Sequence, residues 1–113
     1  MKERFLPIGT VVMLKGGKKE LMIINYCIIP TGMVFENKKQ VPSTGKLYDY
    51  GACTYPEGVL GNNRILAFNH DQIEKIIHMG YISDQSEAIS ARLNEGYDKL
   101  KENIKNNDSN PQQ

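Results

Sequence analysis

Apolar and polar positions come in short blocks through residue 79 of this 113-residue chain, then settle into a helical rhythm. Gly9–Lys15 is apolar and rich in β-branched residues, which predicts a strand. Lys15-Gly-Gly-Lys18 follows, and a Gly-Gly pair supplies the positive φ angles of a tight hairpin turn. The return strand is Glu20–Ile29, ended by Pro30. Its near-continuous apolarity means that both faces are covered or that it lies at the centre of a curled sheet. Residues 31–46 are mostly polar and contain Gly32, Pro42 and Gly45. They predict a long, partly mobile loop with at most a short edge strand at Met33–Phe35. Leu47–Thr54 and Arg64–Phe68 read as further strands, with a turn at Pro56-Glu-Gly58 between them.

Asn69–Gln72 reads as a turn or single helical turn, with Asn69, His70 and Asp71 in capping roles. Ile73–Met79 is ambiguous. Ile73, Ile76 and Ile77 have helical spacing, but Gly80-Tyr81 stops the segment after barely two turns and the Ile-Ile pair favours an extended chain, so a final strand is expected. The C-terminal helix is clearer. Ser83 or Asp84 can cap it, and Asp84 with Glu87 has capping-box spacing. Ile89, Leu93, Tyr97, Leu100 and Ile104 then fall on one face. The expected architecture is α+β: a small curled antiparallel sheet or SH3-like barrel of about five strands, followed by one C-terminal amphipathic helix. Residues 1–82 form the β-rich domain, 83–105 the helix, and 106–113 a polar tail expected to be disordered.

At 113 residues the chain is one domain with a single modest core, and 40% hydrophobic with 24% charged residues is ordinary for a globular protein. No window is apolar enough to span a bilayer, and the amino end lacks the apolar core of a secretory signal. The expected location is therefore cytoplasmic, without membrane insertion. Two cysteines, Cys27 and Cys53, in apolar strands fit buried free thiols and exclude a four-cysteine zinc site. Net charge is +1, but residues 1–46 carry eight Lys/Arg against three Glu and residues 47–113 six against ten acids. That dipolar arrangement suits a protein-binding module as much as two solvated faces, and suits a nucleic-acid binder less.

Three of the six tyrosines lie between Tyr48 and Gly58. They form no stacking platform for nucleic acid, because Tyr48, Tyr50 and Tyr55 are interleaved with Asp49 and Glu57 rather than Lys or Arg. Core packing with hydroxyls at the rim is the plainer reading, and it leaves Tyr50, Tyr55 and Glu57 as candidate contacts for a protein partner. Lys15-Gly-Gly-Lys-Lys19 does not match a phosphate-binding loop. Cys53 and His70 could pair as thiol and imidazole only if the fold brought them together. His70, Asp71 and Glu74 lack a further strong ligand for a metal. No catalytic residue, metal or cofactor is assigned. Packing on the domain's own sheet is the commoner fate of such a helix. At about 1.5 Å per residue, however, residues 83–105 span about 33 Å, so the distal part, with Tyr97, Leu100 and Ile104, could instead project and engage a partner helix or self-associate weakly.

Leu6-Pro-Ile-Gly-Thr-Val-Val12, Leu14-Lys-Gly-Gly-Lys18, Leu21–Ile24, Tyr48-Asp-Tyr50, Tyr55-Pro-Glu-Gly58, Phe68-Asn-His-Asp-Gln-Ile73 and Gly80-Tyr81 together resemble, in order and spacing, the family of small Firmicutes proteins numbered 4176 among domains of unknown function (DUF4176). The resemblance runs from about residue 5 to 85. It marks Pro7, Gly9, Gly16, Gly17, Asp49, Pro56, Gly58, Asn69, His70, Asp71 and Gly80 as structural signature positions. It implies a non-enzymatic cytoplasmic adaptor or chaperone, a targeting factor that binds an LXG-type toxin for export by the type VIIb secretion system of Gram-positive bacteria. Small helical WXG-motif proteins are implied as further partners. The alternative is a small β-barrel module associated with nucleic acid or regulation.

Overall fold

The structure is a computed structural model and describes residues 3–60 and 65–108, apart from the side chains of residues 101 and 103–108. Its strands are β1 (Val11–Leu14), β2 (Leu21–Ile28), β3 (Met33–Glu36), β4 (Lys39–Pro42), β5 (Tyr48–Thr54), β6 (Leu66–Phe68) and β7 (Ile73–His78). A 3-10 turn, His70–Gln72, precedes β7, and one helix, α1 (Asp84–Asp108), ends the described chain. The seven strands form one curled half-barrel sheet in the order β4-β3-β6-β5-β2-β1-β7. Every pairing is antiparallel except that of β3 with β6. Register shifts between Ile23 and Asn25 of β2, and twice along β1 where it pairs with β7, bend the sheet as bulges do.

The concave face holds the main core, in which Leu6, Val12, Ile23, Tyr50, Ala52 and Phe68 are fully buried. A smaller cluster of Val34, Tyr48 and Ala67 forms separately, with Ile28 and Val41 against it. Tyr48 and Tyr50, two residues apart on β5, therefore belong to separate clusters. Their partners on β2 are Ile28 and Tyr26, and Cys27 between these has φ 51°, an irregularity of β2 where the two clusters divide.

The N-terminal segment lies across the open side of the half-barrel. Tyr50 Oη accepts the Leu6 N–H at 3.0 Å, and the Tyr26 hydroxyl donates to the Leu6 carbonyl. Two side chains thus take the place of strand partners for Leu6. Phe5 packs edge-on against Tyr26, Tyr50 and Tyr97, with ring centroids 5.5, 5.7 and 5.4 Å away. Helix α1 clamps the same segment. Ser90 Oγ accepts the Phe5 N–H at 2.9 Å and donates to the Phe5 carbonyl at 3.1 Å, while Asn94 Nδ2 donates to the Arg4 carbonyl at 2.6 Å.

Several expectations change. The sheet has seven strands rather than about five, because the short strand allowed at Met33–Phe35 forms as β3 and pairs with a further strand, β4, where loop was expected. The two-residue turn between them, Asn37-Lys38, has φ 53° and 66°, as a primed hairpin turn requires. The β1–β2 connection uses one positive φ rather than two. Gly16 (80°) occupies the third position of a turn closed by Gly17 N–H to the Leu14 carbonyl at 2.9 Å. The helix cap is a reciprocal pair between Ser83 and Ser86, at 2.8 and 3.1 Å, instead of Asp84 with Glu87. The helix continues through Asp108, so residues 106–108 are helical rather than part of a disordered tail. Residues 109–113 and Arg64 lie outside the described residues.

Candidate functional site

A polar knot joins the termini of the fold. Asp49, almost completely buried, accepts the His70 N–H through Oδ2 at 2.7 Å, and its Oδ1 lies 3.5 Å from Arg4 Nη1. Arg4 also meets Asp98 at 3.2 Å and Asn94 at 3.2 Å, and its guanidinium lies 4.6 Å from the centre of the Tyr97 ring. Asn69 Oδ1 accepts the Asp49 N–H at 3.0 Å, and Gln72 holds the Asn69 N–H at 2.9 Å. Asn69 and His70 are thus tied into the knot, while Asp71 is exposed.

His70 Nδ1 faces the Tyr50 hydroxyl at 2.7 Å, so that nitrogen is engaged away from Cys53. Burial and the Asp49 charge push the Cys27 thiol up, the reverse of what an activated nucleophile needs. Burial also pushes the Tyr50 and Tyr97 hydroxyls up, with Asp49 adding to both. Among the described residues, no group of three His, Cys, Asp or Glu is placed to hold a metal.

The candidate partner contacts divide. Tyr50 and Tyr97 are core residues, at 0% and 2% exposure, so neither presents a side chain to a partner. Tyr97 is drawn in because Arg4 and Phe5 fold back over it. Tyr55 and Leu100 are exposed, as is Glu57, which binds Lys19 Nζ at 2.9 Å. Ile104 lies outside the described side chains. Of the helical stripe, Leu93 and Tyr97 pack on the core while Ile89 and Leu100 face solvent. The face that docks the helix also carries Ser90, Asn94 and Asp98, a polar i, i+4, i+8 row that the apolar periodicity did not reveal.

The signature positions have visible causes. Gly9 and Gly58 take positive φ, and Pro7 closes the first turn by accepting the Thr10 N–H at 3.2 Å. The Tyr55–Pro56 peptide is cis, and Gly58 N–H reaches the Thr54 carbonyl at 2.8 Å. Gly17 sits over the Leu14 carbonyl, 3.3 Å from where a Cβ would lie. Gly80 runs against the backbone of Ile8–Thr10, where a Cβ would come 2.4 Å from the Ile8 carbonyl oxygen.

The surface also carries an apolar concavity. A cavity of about 310 Å³ opens at one mouth of the half-barrel, lined by apolar residues including Leu14, Leu21, Met33, Phe35, Leu60 and Leu66. Lys18, Lys19 and Gln40 stand on its wall. The β1–β2 and β3–β4 turns meet here, since a Cβ on Gly16 would lie 2.6 Å from Lys38 Cβ. That contact brings Lys15, Lys18 and Lys19 to the same end as Lys38 and Lys39. All five are exposed, and among the described residues only Lys19 has a carboxylate within ion-pair distance. The sequence showed a basic half but not this convergence.

The sequence pattern of the family described as Domain of unknown function (DUF4176) matches residues 5–89. The chain belongs to this family. The DUF4176 match ends within the first turns of α1, so the whole half-barrel and the helix start fall inside it. No curated protein and no solved structure matches the chain. No helix among the described residues is long and apolar enough to cross a membrane.

Proposed function

We propose that this DUF4176 protein is a non-enzymatic cytoplasmic adaptor that binds an LXG-type toxin and targets it for export through the type VIIb secretion system. Small helical proteins of the WXG-motif kind join the same assembly. Membership of DUF4176 carries this reading, because the resemblance associates that family with LXG toxins. The chemistry is compatible. The groups best suited to catalysis, His70 and Cys27, are held in structural contacts or pushed away from reactivity. The half-barrel instead offers an apolar mouth of a size that takes up side chains of a partner.

The alternative, a module for nucleic acid, draws on the gathered lysines. It lacks a stacking platform, because Tyr48 and Tyr50 are buried and Tyr55 alone of that cluster is exposed. The test is co-expression with the LXG proteins encoded in neighbouring reading frames, followed by affinity purification and size-exclusion chromatography. A stable stoichiometric complex is expected. Failure of every neighbouring LXG protein to co-purify overturns the reading, and salt-sensitive oligonucleotide binding in its place supports the alternative.

A further inference from the structure

Resting on the adaptor reading, we propose that the lysine-rimmed mouth of the half-barrel is the docking site for an acidic amphipathic helix of the exported client. The wall of the mouth is made of side chains from several strands, with Leu14 from β1, Leu21 from β2, Phe35 from β3 and Leu66 from β6. A partner therefore meets an apolar groove rather than a free backbone edge. The neighbouring sheet edge, β4, is blunted by Lys39 and Pro42 against strand addition. A helix that inserts apolar residues at i, i+3, i+4 and i+7 suits such a groove.

Charge decides the polar face of that helix. Lys18 and Lys19 stand on the wall of the mouth, and Lys15, Lys38 and Lys39 lie on or beside the two turns that meet next to it. Among the described residues only Lys19 of these five has an ion-pair partner, Glu57 at 2.9 Å, which shows how a carboxylate is taken here. Carboxylates flanking the apolar stripe complement this basic end, whereas a basic helix is repelled. Of the apolar lining, Met33 (40% exposed) and Leu60 (55%) stay open to solvent, as does Val59 (52%) beside Leu60 in the chain, and the lysines come from two separate turns. That footprint is broader than one carboxylate headgroup of a small amphiphile engages.

The experiment uses the full chain and two labelled synthetic helical peptides with the same leucine face, one with Glu and one with Lys on the polar face. Fluorescence anisotropy is read over a salt series with wild type, Leu60→Asp, and the double variant Lys18→Glu/Lys38→Glu. All three positions are exposed, and circular dichroism and melting confirm the fold. The Glu peptide is expected to bind, to weaken with salt, and to lose at least about tenfold in affinity with either variant, roughly 1.4 kcal/mol. Equal binding of the Lys peptide, indifference to both variants, or displacement by decanoate or by a single-stranded oligonucleotide more readily than by unlabelled Glu peptide each overturns the proposal. The co-purification assay separates the two levels. Should the LXG complex form equally well with wild type and both variants, the adaptor reading stands and this docking site falls. Should no complex form, the adaptor reading fails, while the peptide titration still reads the chemistry of the mouth.

Discussion

Replacing Tyr50 by Phe removes one oxygen from the centre of the molecule and separates two roles assigned to this tyrosine. As a partner contact, its hydroxyl would matter for binding and little for stability. In the structure the hydroxyl accepts the N–H of Leu6, a residue with 0% exposure, at 3.0 Å, and faces His70 Nδ1 at 2.7 Å. Phe fills the same space, so no cavity term arises. The Leu6 N–H, however, has no water to turn to, and a stranded buried donor costs about 1–3 kcal/mol. His70 is only half-buried and recovers its loss from solvent, so the Leu6 contribution dominates. The expected destabilisation is about 2 kcal/mol, which lowers the melting temperature of a domain this size by roughly 6–10 °C. Urea unfolding followed by circular dichroism measures it. Tyr55→Phe, at an exposed site, serves as the control and is expected to stay within about 0.5 kcal/mol of wild type. A Tyr50→Phe protein as stable as that control refutes the assigned hydrogen bonds. Binding of an LXG partner, measured well below both melting temperatures, is expected to be unchanged.

The remaining predictions concern backbone crowding, the helix and alkaline pH. Gly80→Ala forces a methyl against the Ile8 carbonyl, 2.4 Å from the added carbon, and is expected to cost about 1–3 kcal/mol in urea melts; a neutral result contradicts the close approach. Ending the chain after Asp98 is expected to preserve cooperative unfolding, since Tyr97 is the last of the described α1 side chains in the core, whereas ending it after Glu95 deletes Tyr97 and costs about 3–5 kcal/mol. Equal stability of the two truncations would show that the Tyr97 packing is energetically idle. Burial raises the Tyr26, Tyr48, Tyr50 and Tyr97 hydroxyls above their ordinary value of 10.0, so the folded state keeps protons that the unfolded chain releases. Stability from this source is complete below that pH and is lost as pH rises above it, by about 1.4 kcal/mol per pH unit for each tyrosine concerned. Urea midpoints are expected to fall from pH 10 upward, and less steeply in Tyr50→Phe; an identical fall in both proteins rules out Tyr50 as a contributor.

The fold was largely readable where one physical signal dominates. The β-branched run of Val11–Leu14, the apolar β2 and the strand β7 were identified from pattern and turn residues, and α1 from its period and its Ser83 start. A strand at Met33–Phe35 was legible, but its pairing with β4 was not, because the hairpin turn is Asn37-Lys38 rather than Asn-Gly. A lysine at φ 66° pays a local conformational penalty that only the pairing of Val34 with Val41 and Phe35 with Gln40 outweighs. Candidate contacts on tyrosines failed for a related reason. Tyrosine suits a rim and a core alike, and what placed Tyr50 and Tyr97 inside was the return of Arg4 and Phe5 from the far end of the chain.

The sequence by itself determined the strand-rich body, the terminal helix, the free thiols and the family, because these depend on local periodicity, residue chemistry and ordered motifs. Tertiary structure alone decided that Asp49 is locked between Arg4 and His70, and that α1 docks through a polar row as well as its apolar stripe. It also decided that the lysine-bearing β1–β2 and β3–β4 turns meet beside one apolar mouth. Each of these unites residues far apart along the chain. Their energies come from burial and charge proximity, and the spacing of neighbours in sequence carries no record of either.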